Sequence, residues 1–313
     1  MNVRIEEKTM GLKVRRIGYA LGAEITGVDL REPLSDIAFR EIEATFLDNS
    51  VVVVRGPSIT REHHIAFARR FGEIRKLAEV TLASNDPNYP ELLLLINKTS
   101  AKSAGYQGIL RTGGEIWHSD KSATLNPLSA SLLRAVAIPS VGGDTLFSNG
   151  YLAYEALSDS MKRVLEGLYA VHVGGGGEVD GSTPEKLAAS LRRNAVAQPI
   201  VRVHPRTGRK ALYFGANVKR IEGMTLEEGA PLIDFLMRHI ARPQFIYRHI
   251  WQKDDLVIWD NRCTMHMAAD NYDRSEYRHM ERISVKGEPS GHPYLGPLEY
   301  VSPVGQVEHP SMN

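Results

Sequence analysis

The sequence predicts a mostly β protein with flanking helices (α+β), folded as a β-sandwich or jelly roll in one domain spanning 1–313. Short runs rich in β-branched, aromatic and other apolar residues recur along the chain, most of them bounded by Gly, Pro, Asn or Asp. Strand and helix do not alternate regularly, and no Gly-rich phosphate turn stands near the start, which argues against a βαβ fold. The few predicted helices therefore pack outside the strands.

Ten segments are predicted as strands. In chain order they are EITGVDL at 24–30, SVVVVR at 50–55, ELLLLIN at 91–97, SASLLRAVAI at 129–138, DTLFSN at 144–149, PIVRVH at 199–204, KALYFG at 210–215, QFIYRHIW at 244–251, DLVIWD at 255–260 and EYRHMERISVKG at 276–287. Helix starts are indicated by the capping boxes Ser182 to Glu185 and Thr225 to Glu228. Two more helices are predicted over 61–71 and 150–167.

Three segments are predicted to lie outside this framework. The stretches 97–115 and 174–198, the second opening on a run of four glycines, would cover a pocket as loops or lids. The segment 288–313 is rich in Pro and Gly and would form a C-terminal surface arm or an oligomer contact.

Composition excludes several classes of partner. Lys and Arg total 38 against 37 Asp and Glu, so no net field attracts nucleic acid or an anionic membrane. The single cysteine, Cys263, excludes an internal disulfide and a multi-cysteine metal site. The N-terminus lacks the apolar core of a signal peptide, and no apolar run is long enough to span a bilayer. A cytoplasmic enzyme is the expectation.

A metal site is suggested by His118-Ser-Asp120. In an extended segment residues i and i+2 point to the same face, so the imidazole and the carboxylate can converge on one ion. Composition alone produces about one such match, and His279-Met-Glu281 is a second. His266, at the end of the apolar strand and turn DLVIWDNRCTMH, would complete two histidines and a carboxylate, the ligand set of non-haem Fe(II) sites. The alternative for His266 is a core histidine.

Alternation along 276–287 places Arg278, Met280 and Arg282 on one strand face and His279 and Glu281 on the other. Only one face is expected to look inward. If the arginines face inward, each needs an anion, because an unpaired buried guanidinium costs several kcal/mol. The opposite orientation would bury His279 and Glu281 instead.

Several motifs in order resemble the taurine dioxygenase / 2,4-dichlorophenoxyacetate dioxygenase family of Fe(II)- and 2-oxoglutarate-dependent oxygenases. They are LGAEITGVDLREPL at 21–34, HIAFARRFGEI at 64–74, WHSD at 117–120, GGDTLFSN at 142–149, VRVHPRTGRKALY at 201–213, WDNRCTMHMA at 259–268 and RHMERISVKG at 278–287. The resemblance implies a double-stranded β-helix, the cupin-like form of the jelly roll. It also implies Fe(II) as cofactor, with 2-oxoglutarate and O2 as cosubstrates.

The resemblance implies roles for individual residues. It makes His118, Asp120 and His266 the iron ligands, and Thr145 with Arg278 the clamp on the distal carboxylate of 2-oxoglutarate. Arg282 would face the anionic group of the primary substrate, a small to medium organic molecule such as an aryloxyalkanoate, alkylsulfonate or alkyl sulfate. Secondary candidates are Lys76 and Lys98 for substrate binding, and Trp117 and Trp259 for keeping water from the centre.

Alternatives remain open at this stage. Taurine-specific members carry a histidine shortly after the RFGE motif, and this chain has none there, which argues against taurine. The substrate could instead resemble an amino acid of a biosynthetic pathway. A metal-dependent cupin isomerase would share the fold and metal without 2-oxoglutarate, and a non-catalytic binding protein would keep the fold alone. A homo-oligomer, dimer or tetramer, is the expected assembly.

Overall fold

The computed structural model describes residues 11–76, 86, 88–97, 114–174 and 195–298. Its strands are β1 (Lys13–Arg16), β2 (Ala23–Thr26), β3 (Val51–Val54), β4 (Leu92–Ile96), β5 (Leu128–Ala137), β6 (Thr145–Asn149), β7 (Tyr169–Val173), β8 (Ala195–Pro199), β9 (Val201–Val203), β10 (Lys210–Leu212), β11 (Val218–Ile221), β12 (Ile246–His249), β13 (Leu256–Asp260), β14 (Thr264–Ala268), β15 (His279–Lys286) and β16 (His292–Pro293). Its helices are α1 (Asp36–Asn49), α2 (Arg61–Arg69), α3 (Gly150–Glu155), α4 (Asp159–Leu165), α5 (Leu226–Ile240) and the 3-10 turn Pro243–Phe245.

The strands form a jelly roll, as predicted. A seven-stranded sheet in the order β1-β2-β3-β13-β5-β15-β4 makes one wall. The three-stranded sheet β12-β6-β14, the four-stranded sheet β11-β7-β8-β16 and the hairpin β9-β10 complete the strand framework. Most pairings are antiparallel, and β2 with β3 is parallel.

A buried cluster joins the seven-stranded and three-stranded sheets. Phe147 of β6 packs with Leu133 of β5, Trp259 of β13 and Met280 of β15, all at most 6% exposed. Ring centroids of Phe147 and Trp259 lie 5.5 Å apart. This interior cluster forms one side of the candidate site described below.

The outer face of the seven-stranded sheet is covered by α1 and α2. Strand β3 is therefore buried on both faces. Val51 and Val53 belong to the interior cluster, while Val52 and Val54 pack under the helices. A strand buried on both faces reads as a continuous apolar run, which is the pattern of VVVV. Thr60 caps the start of helix α2, because its hydroxyl accepts from the backbone N–H of His63.

Two of the predicted helices can be compared in detail. Helix α5 begins where the capping box predicts, with Thr225 accepting from the backbone of Glu228 and the Glu228 carboxylate accepting from Thr225. The helix predicted over 150–167 is instead two short helices. Ser158 caps the second, α4, by accepting from the backbone of Met161, and the chain between the two helices is not helical.

Strands β1, β7, β8, β11, β14 and β16 were not predicted. Strand β1 is exposed at every position and carries three cations in four residues, so it lacks the apolar alternation that marks a strand. The predicted lid 97–115, the Ser182 capping box and most of the predicted lid 174–198 fall outside the described residues. The lid prediction was wrong for 195–198, because these residues are buried in strand β8 between β7 and β16. The first part of the predicted arm 288–313 adds β16 beside β8, pairing His292 with Ala197. In the described ranges we find no helix whose length and apolarity would let it cross a membrane.

Candidate metal centre

His118 and His266 lie directly opposite each other. The backbone N–H of His118 donates to the carbonyl of His266 at 3.0 Å, and that of His266 donates to His118 at 2.8 Å. Directly opposed residues project their side chains to the same side of a sheet, and the two ring centroids are 4.2 Å apart. The WHSD segment thus adds an edge bridge beside β14 and brings together two imidazoles separated by 148 residues, from 118 to 266.

Asp120 joins them from two residues further along, as the spacing predicts. Its Oδ1 lies 3.9 Å from Nε2 of His118, and its Oδ2 lies 3.9 Å from Nε2 of His266. The carboxylate is 5% exposed and accepts from the hydroxyl of Ser131 and from the Arg282 guanidinium, each at 2.8 Å. Three potential ligands therefore converge on one point.

Asp120 and His266 have the charge states that binding of a cation requires. Burial alone would raise the pKa of Asp120, but the Arg282 guanidinium and the two imidazoles hold it well below its usual range. Burial, with His118 beside it, lowers the pKa of His266 to about 3. At neutral pH the cluster is one carboxylate and an uncharged His266 imidazole, and the Nδ1 of His118 contacts the carbonyl of Ile116 at 2.7 Å, which leaves Nε2 to face the cluster.

This donor set fits a first-row divalent metal. The ligand atoms lie within 4.8 Å of one another. Metal–ligand bonds of about 2.1 Å allow one ion to reach donors roughly 4 Å apart, which matches both imidazole–carboxylate separations. Two histidines and one carboxylate that leave further coordination positions open are the set that non-haem Fe(II) oxygenases use.

The two candidate tryptophans occupy different surroundings. The ring of Trp259 lies 4.8 Å from that of His266 and is 1% exposed, so it forms the apolar wall beside this potential ligand. Trp117 is partly buried and packs against a second core cluster that includes Phe214 and Met265. Trp259 therefore borders the centre directly, and Trp117 supports the strand segment that carries His118.

Arg278 contacts Gly143, which lies two residues before Thr145 in the chain. Thr145 pairs with Ala268, two residues after His266, and its hydroxyl accepts from the indole of Trp251 at 3.1 Å. Arg278 lies over Gly143, whose carbonyl is 3.4 Å from its Nη2. Gly143 has φ +70°, and a Cβ there would lie 3.2 Å from the Arg278 Nε, so glycine admits this approach.

Arg278 has no acidic partner among the described residues. Its guanidinium carbon lies 5.8 Å from the ring centroid of Tyr272. Burial lowers the pKa of this guanidinium. A desolvated cation without a carboxylate is the environment in which an anionic ligand binds well.

The strand β15 has both faces buried, so the expectation that only one would look inward was wrong. Met280 and Arg282 do face the interior, as the alternation predicts. On the opposite face Glu281 is 2% exposed, 2.7 Å from Arg61 of α2 and 3.5 Å from Arg134. Arg61 of helix α2 thus supplies the positive charge that compensates the burial of Glu281 on the second face.

The remaining candidates are not brought into the cluster. Lys76 is exposed at the end of a described segment, where the neighbouring Arg75 donates its backbone N–H to Ser284. Lys98 lies outside the described residues. His279 of the second His-x-acid match is buried on the outer face beside Glu281, at 3.5 Å. That match is part of an ion-pair network.

A second cluster contains His204, Asp260 and Cys263, which are residue types that bind metals. Their donor atoms are already occupied by hydrogen-bond partners or by a proton. Nδ1 of His204 accepts from two backbone N–H groups, so Nε2 carries the proton and donates to Asp260 at 3.0 Å. Arg262 donates to both Asp260 oxygens, at 2.8 and 2.7 Å. Burial raises the pKa of the Cys263 thiol to about 12. The cluster therefore stabilises the turn between β13 and β14.

Two residues at the centre were not predicted. Ser131 of β5 donates to Asp120, and Asn261 in the turn after β13 contacts both Ser131 and the backbone of Asp120. Ser131 shares its strand with the polar residues Ser129 and Arg134, so its polarity alone did not single it out. Asn261 lies inside the WDNR motif, and an asparagine in that position does not by itself indicate a role at a metal centre.

Comparison with known proteins decides the family. The model of the taurine catabolism dioxygenase TauD, TfdA family matches residues 13–284. The chain belongs to the TauD/TfdA family. A 2,4-dichlorophenoxyacetate dioxygenase of Cupriavidus pinatubonensis is 35% identical over 273 residues, covering 85% of this chain and 94% of that protein. An alkylsulfatase of Acinetobacter baylyi is 31% identical over 297 residues, 92% of this chain and 89% of its own.

Solved structures agree with this TauD/TfdA membership. A taurine dioxygenase from Burkholderia xenovorans has a TM-score of 0.73 at 34% identity, covering 88% of this chain and 90% of that one. AAD-2, solved with Mn(II) and N-oxalylglycine, has a TM-score of 0.76 at 31% identity, covering 90% and 99%. This TauD/TfdA protein is accordingly a dioxygenase that uses Fe(II), 2-oxoglutarate and O2.

Proposed function

We propose that this enzyme hydroxylates a small to medium anionic organic substrate at a centre held by His118, Asp120 and His266. The observation that carries the proposal is the convergence of these three side chains, with 3.9 Å between each imidazole Nε2 and the nearer carboxylate oxygen. The ionised Asp120, the uncharged His266 and the apolar wall formed by Trp259 support the same assignment. Fe(II) would be held by these three groups.

Arg278, with Thr145, is proposed to bind the distal carboxylate of 2-oxoglutarate. The support is the Arg278 guanidinium, which lacks an acidic partner among the described residues and contacts Gly143, two residues before Thr145. A charge-assisted pair there would replace the missing carboxylate and orient the cosubstrate. Arg282 is proposed to attract the substrate's anionic group while it also donates to Asp120.

When bound, Fe(II) with 2-oxoglutarate and O2 supplies an oxidant that hydroxylates a substrate carbon, while 2-oxoglutarate is converted to succinate and CO2. The chain's own contribution is to bind, orient and exclude water. Trp259 and Phe147 present apolar surface beside His266, with ring centroids 4.8 and 6.2 Å away. A hydroxylated carbon that bears oxygen or sulfur would then lose that substituent by C–O or C–S cleavage.

The substrate class is proposed from the arginine and from the relatives. Proteins similar to this chain are named for 2,4-dichlorophenoxyacetate and for alkyl sulfates. Aryloxyalkanoates, alkyl sulfates and alkylsulfonates all present an anion to a cation such as Arg282 and a C–H bond to the centre. The anion is therefore the feature that we expect the substrate to share with these compounds.

The test is succinate release with Fe(II) and 2-oxoglutarate against aryloxyalkanoates, alkylsulfonates, alkyl sulfates and amino acids. We expect substrate-dependent succinate with at least one anion class, lost in His118→Ala and Asp120→Ala. His279→Gln is the matched control, because it changes the second His-x-acid pair on the opposite side of the sheet. Equal succinate in His118→Ala and the parent would refute the assigned centre.

The single-domain organisation, the assembly and the compartment are also proposals. A homo-oligomer, dimer or tetramer, is supported by the prevalence of closed symmetric assemblies, and a cytoplasmic location by the single, buried and unpaired Cys263. Light scattering after size-exclusion chromatography would measure the assembly. A monomer at micromolar concentration would contradict it.

A further inference from the structure

The side chain of Asn261 is fully buried at the centre and makes three hydrogen bonds. Its Oδ1 accepts from the indole Nε1 of Trp259 at 3.0 Å and from the backbone N–H of Asp120 at 3.3 Å. Its Nδ2 donates to the hydroxyl of Ser131 at 2.9 Å. The amide orientation follows from these partners, because an indole and a backbone N–H can only donate and must face the oxygen.

The direction of the next hydrogen bond follows from the first. A serine hydroxyl has one proton, and Ser131 accepts from Asn261, so it keeps its proton for Oδ2 of Asp120 at 2.8 Å. Arg282 holds the other oxygen, Oδ1, at the same distance. Both carboxylate oxygens are therefore fixed, one by a charged donor and one by a donor whose direction Asn261 sets.

The same amide also reaches a second potential ligand. By accepting from Trp259, Asn261 fixes the indole whose ring lies 4.8 Å from that of His266. Asp120 is contacted through its backbone and, via Ser131, through its carboxylate. One neutral side chain thus connects to two of the three residues of the centre.

We infer that Asn261 is a positioning residue for the metal centre, acting on Asp120 through Ser131 and on His266 through Trp259. This inference rests on the proposed function, because it takes Asp120 and His266 as ligands. Rotation of the Asp120 carboxylate would move a donor oxygen away from the ion, and the Asn261–Ser131 pair opposes that rotation. Donors that orient metal ligands in this way change metal affinity by about 10–100-fold when they are removed.

Ser131→Ala and Asn261→Ala test the inference, with Ser129→Ala as the matched control. Ser129 lies on the same strand, is 7% exposed, and donates to the backbone carbonyl of Lys286 at 2.9 Å instead of to the centre. Co(II) binding to the full chain is measured by titration, and the visible spectrum of the Co(II) form reports the ligand geometry. Urea unfolding of the metal-free proteins measures stability separately.

We expect Ser131→Ala to weaken Co(II) binding about 10–100-fold and to alter its spectrum, with Ser129→Ala unchanged in both. Ser131→Thr, which keeps the hydroxyl, should retain the parent affinity. In the double variant, the loss of Co(II) binding free energy should be smaller than the sum of the losses in Asn261→Ala and Ser131→Ala, because both substitutions remove the same hydrogen bond. If Asn261→Ala does not fold, Ser131→Ala and Ser131→Thr decide.

Parent affinity and spectrum in Ser131→Ala, or an equal loss in Ser129→Ala, would overturn the inference. His118→Ala separates this failure from a failure of the proposed function. If His118→Ala loses Co(II) while Ser131→Ala does not, the centre stands and the positioning role is wrong. If His118→Ala binds Co(II) as the parent does, the ligands themselves are wrong.

Discussion

Replacing Arg278 by Met should raise the stability of the ligand-free enzyme and weaken its binding of 2-oxoglutarate. The structure gives this guanidinium no carboxylate among the described residues, only a long contact with the Gly143 carbonyl at 3.4 Å and the Tyr272 ring. Methionine has a similar length and no charge to desolvate. Stability and 2-oxoglutarate affinity change in opposite directions because only bound 2-oxoglutarate supplies the anion that pairs with Arg278.

Both magnitudes can be estimated. Replacing a poorly compensated buried ion by an apolar side chain changes the free energy of unfolding by about 1–4 kcal/mol in favour of the folded state. The Arg278 side chain is only partly buried, so about 1–2 kcal/mol is expected. Loss of a hydrogen-bonded charge pair costs about 2–5 kcal/mol of binding, so the Kd for 2-oxoglutarate should rise at least about 30-fold.

Arg282→Met is the comparison variant. Arg282 has an acidic partner, Asp120, at 2.8 Å, and its removal leaves a buried carboxylate unpaired on one oxygen. We expect the free energy of unfolding of the metal-free protein to fall by about 2–4 kcal/mol. Urea unfolding measures the stability of both variants, and calorimetric titration of the Mn(II)-loaded proteins measures 2-oxoglutarate affinity.

The reasoning fails if Arg278→Met is destabilised as much as Arg282→Met, because Arg278 would then have an acidic partner in the folded protein. It fails separately if the 2-oxoglutarate Kd is unchanged, which would place the distal carboxylate elsewhere.

Three further predictions concern the buried polar groups around the sheet. Burial raises the pKa of Cys263 to about 12, so the thiol should react with a disulfide reagent at pH 8 only after unfolding, and fast reaction of the native protein would contradict its burial. Burial lowers the pKa of His64 to about 3, so the unfolded state binds a proton at pH 5 that the folded state does not, and the free energy of unfolding should fall from pH 7 to pH 5. His64 should account for about 2 kcal/mol of that fall. Urea titrations of His64→Leu at the two pH values should show this part removed, and an unchanged difference between pH 7 and pH 5 would refute the prediction. Glu281→Gln should lower the free energy of unfolding by about 1–3 kcal/mol, below the loss for a fully broken buried pair, because Arg61 and Arg134 each retain a second acidic partner. A loss under about 0.5 kcal/mol would show that the network contributes little.

The centre was partly predictable because two of its ligands are local in sequence. Strand geometry places residues two apart on one side, so His118 and Asp120 could be paired from spacing alone. His266 is a different case, since it lies 148 positions further along the chain. Its place after an apolar strand only suggested a third ligand, and the order of several family motifs linked it to the pair. Asn261 could not be found this way, because an amide is informative only once its hydrogen-bond partners are known.

Strand β15 shows where alternation stops being sufficient. It assigned Met280 and Arg282 correctly to one face and Glu281 to the other. It could not show that both faces are buried, because Arg61, the partner that neutralises Glu281, stands 220 residues earlier on a helix. Burial of a charge depends on such distant partners, and a local pattern does not contain them.

The direct pairing of His118 with His266 makes assembly of the centre depend on a late stage of folding. Bringing the ends of a 148-residue segment together costs about 4 kcal/mol in chain entropy, beyond a constant for closure, and many strand pairings lie inside that segment. The ligands therefore meet only after most of the barrel has assembled, as is typical of a topology rich in non-local contacts. A metal ion added to a refolding chain would be captured late, and its capture would mark the molecules whose barrel has closed.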